Sequence, residues 1–177
     1  MKYTLAATMA VIAAVGLSDP SAARTRTQRM SPQTFVEQAA AANQFEIESG
    51  QLAQQKAQND KLKRFARRMI DDHTKIADQM KRTLQQANLP EPPAQLPPEQ
   101  QALLDKLKNE NGAAFDRRYF MDQLSGNRKA VRLIGSYARS GSKPALRKLA
   151  ANTLPVIREH LRLLEAMPGG RPLTARR

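Results

Sequence analysis

The sequence predicts an all-α protein, an antiparallel bundle of four helices behind a cleavable N-terminal leader. Three observations carry that expectation. Beyond Arg24 the chain is dominated by Ala, Leu, Gln, Lys, Arg and Glu, all strong helix formers. No stretch alternates branched apolar and polar residues as a half-buried strand would. Between Pro and Gly punctuation, apolar residues recur in steps of three and four, which lays an apolar stripe along one face of a helix. At 177 residues the chain is long enough for one domain with a sizeable core.

Residues 1–23 read as a signal peptide. Lys2 supplies the positive start, Leu5 to Leu17 the apolar run, and Ser21-Ala22-Ala23 the small residues a peptidase needs. The run falls short of the about 20 apolar residues that span a bilayer. No second such run follows, so a mature chain without a transmembrane segment is expected, periplasmic or secreted. Residues 24–31 form a basic linker expected to be disordered, and 32–167 the bundle domain. Ser31-Pro32 offers a cap and a first-turn proline for a helix reaching about Lys56. Asn59-Asp60 opens a second, ending near Ala87. NLPEPPAQLPPEQ, residues 88–100, is a proline-rich connector that cannot be helical throughout. A third helix begins near Pro98 and ends at Arg139, with glycines at Asn111-Gly112 and Ser125-Gly126 marking two places where it could break. SGSKP turns the chain into a fourth helix, from Pro144 to Met167, and residues 168–177 make a basic tail expected to be disordered. LKRFA at 62–66 and LRKLA at 146–150 hint at an internal repeat.

Chemistry concentrates in the stripes. The second helix runs Leu62, Phe65, Met69, His73, Ile76, Met80, Leu84, and the fourth Leu146, Leu149, Thr153, Val156, His160, Leu164, Met167. Each of the two histidines sits mid-stripe, so both imidazoles are expected to point inward. The first helix carries a stripe of small residues, Phe35, Ala39, Ala42, Glu46, Gly50, Ala53, Ala57, which permits close approach of a neighbour. Glu46 in its middle is costly to bury unless paired. Glu46, His73 and His160 are therefore candidate metal ligands, with Asp72, Asn127 and Glu159 as residues that could orient them. The blander reading is hydrogen bonding of the histidines to Glu46, Asp72 or backbone. Pro155 either kinks the fourth helix, freeing the carbonyl near Ala151, or breaks it with Thr153 as a new cap. Tyr119 and Tyr137 share a face of the third helix and are expected to pack in the core with hydroxyls at the bundle edge. Met69, Met80 and Met167 are core fillers before they are copper ligands.

Composition excludes several classes. Without cysteine there is no thiol catalysis, redox sensing or thiolate metal site, and an exported chain must rely on its core alone. No Gly-x-Ser-x-Gly elbow, glycine-rich phosphate loop or His-Glu-x-x-His occurs, which leaves no complete catalytic set. The net charge is +13 and the isoelectric point about 10.6. Lys2 and Asp19 cancel, so the mature chain keeps that charge. The basic residues are scattered and aromatics few, so nucleic acid is not expected as a partner. Anionic envelope surfaces, lipid or cell-wall polymer, are the natural candidates after export. Homo-oligomerisation is left open.

FVEQAAAANQFEIESGQLAQQKA, LKRFARRMIDDHTKI, FDRRY followed by KAVRLI, and LRKLAANTLPVIREHL together resemble a bacterial family of exported proteins, domain of unknown function 4142. The similarity covers about residues 34 to 166 and implies a ferritin-like four-helix bundle, with no established activity to carry over. Two departures bear on metal chemistry. Where the family typically repeats an Asp-His on its third helix, this chain has Gly126 and Asn127. Ferritin-type di-iron sites use Glu-x-x-His, but the residues three before His73 and His160 are Ile70 and Ile157. The expected function is a non-catalytic binding module of the envelope or of stress protection. The alternative is a ferritin-like protein with a degenerate site, metal-binding or redox-protective, its cofactor a transition metal ion.

Overall fold

The computed structural model describes residues 30–168. The expected leader, nearly all of the linker and the tail beyond Pro168 lie outside the described residues. Within them the chain forms five helices and no strand: α1 (Pro32–Lys56), α2 (Asp60–Gln86), α3 (Pro98–Asn109), α4 (Gly112–Ser140) and α5 (Pro144–Glu165).

The helix ends follow the local chemistry. Ser31 Oγ accepts the Thr34 N–H at 3.0 Å, with Pro32 in the first turn. The Asn59 side chain caps α2 by accepting from the Lys61 N–H at 2.8 Å. The Asp116 carboxylate, on α4, accepts the N–H groups of Gln58 at 3.0 Å and Asn59 at 2.9 Å, which ties the α1–α2 turn to the start of α4. The expected third helix is two helices. The chain turns at Gly112 with φ +58°, a left-handed conformation that glycine adopts at least cost. At Ser125-Gly126, by contrast, α4 runs on unbroken. Pro155 does not break α5 either, so Thr153 is no cap. Ala151 and Pro155 both lie exposed, which leaves the carbonyl freed by the proline to water.

α1 and α2 run in opposite senses: Gln54 meets Lys63, Gly50 meets Ile70, and Asn43 meets His73. α4 and α5 do the same, with Arg128 on Glu165 and Gly135 beside Leu154. α1 also packs on α4 and α2 on α5, while α3 lies against α1 and α4. Gly50 makes the close α1–α2 approach that the small stripe anticipates. A Cβ there would stand 2.9 Å from Ile70 Cγ1 and 3.3 Å from the Ala66 carbonyl.

The apolar core divides in two. One cluster, with Ala53, Phe65, Met69, Phe115, Leu124 and Leu164, fills the end holding the α1–α2 turn. The other, with Phe35, Ala39, Met80, Ile134, Tyr137 and Leu149, fills the opposite end. Of LKRFA and LRKLA, the first puts Leu62, Phe65 and Ala66 in one cluster and the second puts Leu146, Leu149 and Ala150 in the other. Between the clusters every long helix contributes buried polar side chains: Asn43, Glu46 and Ser49 from α1, His73 from α2, Gln123 and Asn127 from α4, Thr153 and His160 from α5. The molecule has a polar waist.

The α5 stripe departs from expectation by one residue, since Ile157 is buried and Val156 only half-buried. Ile157 lies between Thr153 and His160 at helical spacing and fills the same face. Tyr119 and Tyr137 also differ. Both are wholly inside, and neither hydroxyl reaches the bundle edge or a hydrogen-bond partner. Tyr137 stacks on Phe35 with ring centroids 3.8 Å apart, which draws it deeper than a snorkelling tyrosine.

Candidate metal centre

The polar waist holds two separate groups. In the first, α2 and α5 bring His73 and His160 together, buried at 5% and 0% exposure, with ring centroids 5.4 Å apart. Both imidazoles therefore face the interior as the stripes predict. Each ring is fixed through one nitrogen. His73 Nδ1–H donates to Asn43 Oδ1 at 2.8 Å, while Asn43 Nδ2 donates back to the His73 carbonyl at 3.0 Å. His160 Nε2–H donates to Asp72 Oδ2 at 2.9 Å. A carboxylate and an amide oxygen only accept, so the tautomers are set: His73 carries its proton on Nδ1 and His160 on Nε2. The other two nitrogens, His73 Nε2 and His160 Nδ1, are buried lone pairs without a hydrogen-bond partner.

The electrostatics keep both rings neutral. Burial, then the nearby His160, lowers the His73 pKa to about 3, against a smaller pull upward from Asp72. Burial also lowers His160, outweighing the raising effect of its Asp72 hydrogen bond and charge. Asp72 is itself subject to desolvation, but the His160 bond and the Arg68 guanidinium win and hold its carboxyl below the usual range. Its side chain is 22% exposed, and Arg68 and Lys75 face it from the surface. A buried acceptor left unpaired costs about 1–3 kcal/mol. His73 Nε2 and His160 Nδ1 are two such acceptors, on adjacent rings.

The second group surrounds Glu46. Gln123 Nε2 donates to Glu46 Oε2 at 2.5 Å and to Ser49 Oγ at 3.2 Å. Gly126 gives the carboxyl its room, since a Cβ there would stand 3.1 Å from Oε1. Burial drives the Glu46 pKa up to about 8, with the Gln123 bond working against the rise and the Asp122 charge adding to it. At neutral pH Glu46 is a protonated acid held by an amide.

The three residues read from the sequence as ligands thus separate: His73 and His160 form a pair, and Glu46 turns to Gln123. Among the described residues no three His, Cys, Asp or Glu side chains gather closely enough to hold an ion together. Of the supporting residues, Asp72 orients the ring of His160 across the helix interface and not that of its neighbour His73. Asn127 donates to the Gln123 carbonyl of its own helix at 3.0 Å, and Glu159 pairs at the surface with Arg162 at 2.7 Å, so neither bonds a ring. Sequence reasoning missed Asn43 and Gln123. Asn43 was within reach, lying one turn after Ala39 on the small stripe and one turn before Glu46.

The fold has solved counterparts. CopM in its Cu(II)-bound form superposes with a TM-score of 0.64 at 22% identity, covering 77% of this chain and 95% of that one. CopM in its Cu(I)-bound form gives 0.63 at 22% identity, over 77% and 94%. A DUF305 protein from Streptomyces coelicolor, described as secreted, gives 0.62 at 15% identity, over 76% and 90%. These likenesses establish a shared helical fold. No curated protein matches the sequence. No described helix is long and apolar enough to cross a membrane. The model of one family, the domain of unknown function DUF4142, matches residues 17–167, and the chain belongs to that family.

Proposed function

We propose that this is an exported, non-catalytic protein that binds a transition metal ion, copper foremost, between His73 and His160. The observation that carries the reading is the pair of bare, buried nitrogens, His73 Nε2 and His160 Nδ1, each on a ring whose other nitrogen is already held. Metal-binding histidines characteristically donate their second N–H to a carboxylate or carbonyl, which sets the tautomer and aims the lone pair. Asp72 and Asn43 supply that support here. A bound ion would offer Lewis acidity and, for copper, a change of oxidation state; the chain supplies two donors on fixed rings and an apolar enclosure. The copper-bound forms of CopM, of like fold, favour the same ion class. In this reading α1, α2, α4 and α5 are the antiparallel four-helix bundle, ferritin-like in plan, with α3 an added flank, and the N-terminal leader delivers the chain to the periplasm or beyond. The test is metal analysis of chelator-stripped protein after loading with copper and desalting. We expect one copper per chain, lost in His160→Leu. Trace copper in wild type refutes the proposal.

A second reading has its own support in the surface of α2. Lys63, Arg64, Arg67, Arg68 and Lys75 line a depression of about 570 Å³, with Asp60, Asp71 and Asp72 among them. In this reading the basic face docks the protein on anionic envelope lipid or cell-wall polymer. Co-sedimentation with phosphatidylglycerol vesicles, and none with neutral ones, is expected; equal recovery with both removes the idea.

A further inference from the structure

We infer that the histidine pair takes copper as Cu(I) and discriminates against Cu(II) and Zn(II); this rests on the metal-binding reading above and narrows it. Donor number is the first argument. The pair offers two lone pairs, and the remaining ring nitrogens are already donating to Asn43 and Asp72. Among the described residues no third His, Cys, Asp or Glu joins them. Zn(II) takes four ligands in a tetrahedron and Cu(II) a square-planar or tetragonal set, so either would lack half its coordination. A d¹⁰ monovalent ion accepts as few as two nitrogen donors. The ring centroids, 5.4 Å apart, stand closer than the roughly 6 Å that two imidazoles on opposite sides of one ion at about 2.0 Å each would span, so the pair would hold the ion at a bent angle.

Charge is the second argument. The ionised group bonded to the pair is the single carboxylate of Asp72, on the far nitrogen of His160. One positive charge between the rings is balanced by it. A divalent ion would leave a net positive charge in the interior, where an unpaired charge is strongly disfavoured. Arg68 and Lys75, facing Asp72 from outside, would add to that excess.

The third argument is the enclosure. Phe65 sets its ring edge-on to His160 with centroids 6.3 Å apart. Met69, Ile76 and Ile157, all buried, stand one turn from the histidines on the same stripes. A cavity of about 30 Å³ beside His73 is lined by Ile76, Met80 and Ile157 and carries few polar groups, Asn43 and Thr153 among them. So small and apolar a cavity leaves little room beside His73 for the water ligands with which a divalent ion would complete its shell. It suits a weakly hydrated cation.

The experiment uses the full mature chain. Under anaerobic conditions Cu(I) is titrated in competition with the colorimetric chelator bicinchoninate, Cu(II) and Zn(II) are offered in parallel by equilibrium dialysis, and the copper-loaded protein is examined by X-ray absorption. We expect one Cu(I) per chain, two nitrogen scatterers, no sulfur scatterer, and neither divalent ion retained. Asn43→Leu, which removes the acceptor on His73 Nδ1–H together with the donor to the His73 carbonyl, should weaken Cu(I) about 10-fold, and His73→Leu should abolish retention. Should the latter variant not fold, the scatterer count on wild type and the Asn43→Leu shift decide the matter. Tight Cu(II) or Zn(II) binding, or sulfur in the shell, overturns the Cu(I) assignment and leaves metal binding standing. Failure to retain any of the three ions overturns both.

Discussion

Two carboxylates serve the polar waist, and they end in opposite states. Asp72 lies at the α2–α5 seam with part of its side chain in water, and it stays ionised while bonded to the buried ring of His160. Glu46 lies inside the α1–α4 seam, 5% exposed, with an amide and no cation for company, and it keeps its proton to about pH 8. The first can balance a cation between the imidazoles, and the second cannot. The difference comes from solvent access and partner charge, because both side chains end in the same functional group.

The comparison breaks most readily with pH. Glu46 titrates near 4.5 when unfolded and about 8 when folded. Between those values the folded chain holds a proton that the unfolded chain has released. Stability from this group is therefore complete below pH 4.5 and falls as pH rises to 8, on the order of 4 kcal/mol over the window. Glu46→Gln keeps the shape of the protonated acid and should flatten that slope. Urea melts of both proteins near pH 5 and pH 8 measure it, and identical slopes would show Glu46 to be ionised after all.

The histidine side should respond in the opposite direction. His73 falls from 6.5 to about 3 on folding, so in that interval the unfolded chain takes up a proton that the folded chain refuses. Its contribution is present above pH 6.5 and is lost on acidification, about 3 kcal/mol by about pH 4. His73→Gln should soften the acid limb of the stability profile and leave the alkaline limb alone. An unchanged acid limb would place the sensitivity elsewhere.

Smaller effects sharpen the contrast. Gln123→Leu removes the donor shared by Glu46 and Ser49 and should cost about 2 kcal/mol in denaturant unfolding. A loss no larger than that of a surface substitution would mean that the Glu46 carboxyl has found another donor. Glu159→Gln should move the melting temperature by no more than about 1 °C, because its pairing with Arg162 is a surface contact. A clear drop there would give Glu159 a part in holding His160 that its hydrogen bonds do not reveal.

The helices and the inward turn of both histidines were legible in residue spacing. Met69, His73, Ile76 and Met80 cannot share a buried face unless the imidazole lies on it. Gly112 and Gly126, the two possible breaks in the third helical stretch, looked equivalent in sequence and were not. Gly112 takes a positive φ that ends one helix and starts another, whereas Gly126 is helical and makes room for the Glu46 carboxyl. Asn43 was harder to weigh, since a polar residue on a stripe of small side chains leaves no apolar rhythm to interrupt, and Gln123 sits on α4 among Tyr119, Phe120 and Leu124, where it faces Glu46 only once α1 is packed against it.

By itself the sequence determined the all-helical class, which face of α2 and α5 is buried, and the absence of thiol chemistry, because these depend on propensity, periodicity and composition within one segment. Only the tertiary structure decided that Asp72 serves His160 and not the adjacent His73, that Asn43 holds His73, and that Glu46 faces Gln123. Hydrogen bonds between helices depend on which seams adjoin and at what register, and these follow from packing all the stripes at once.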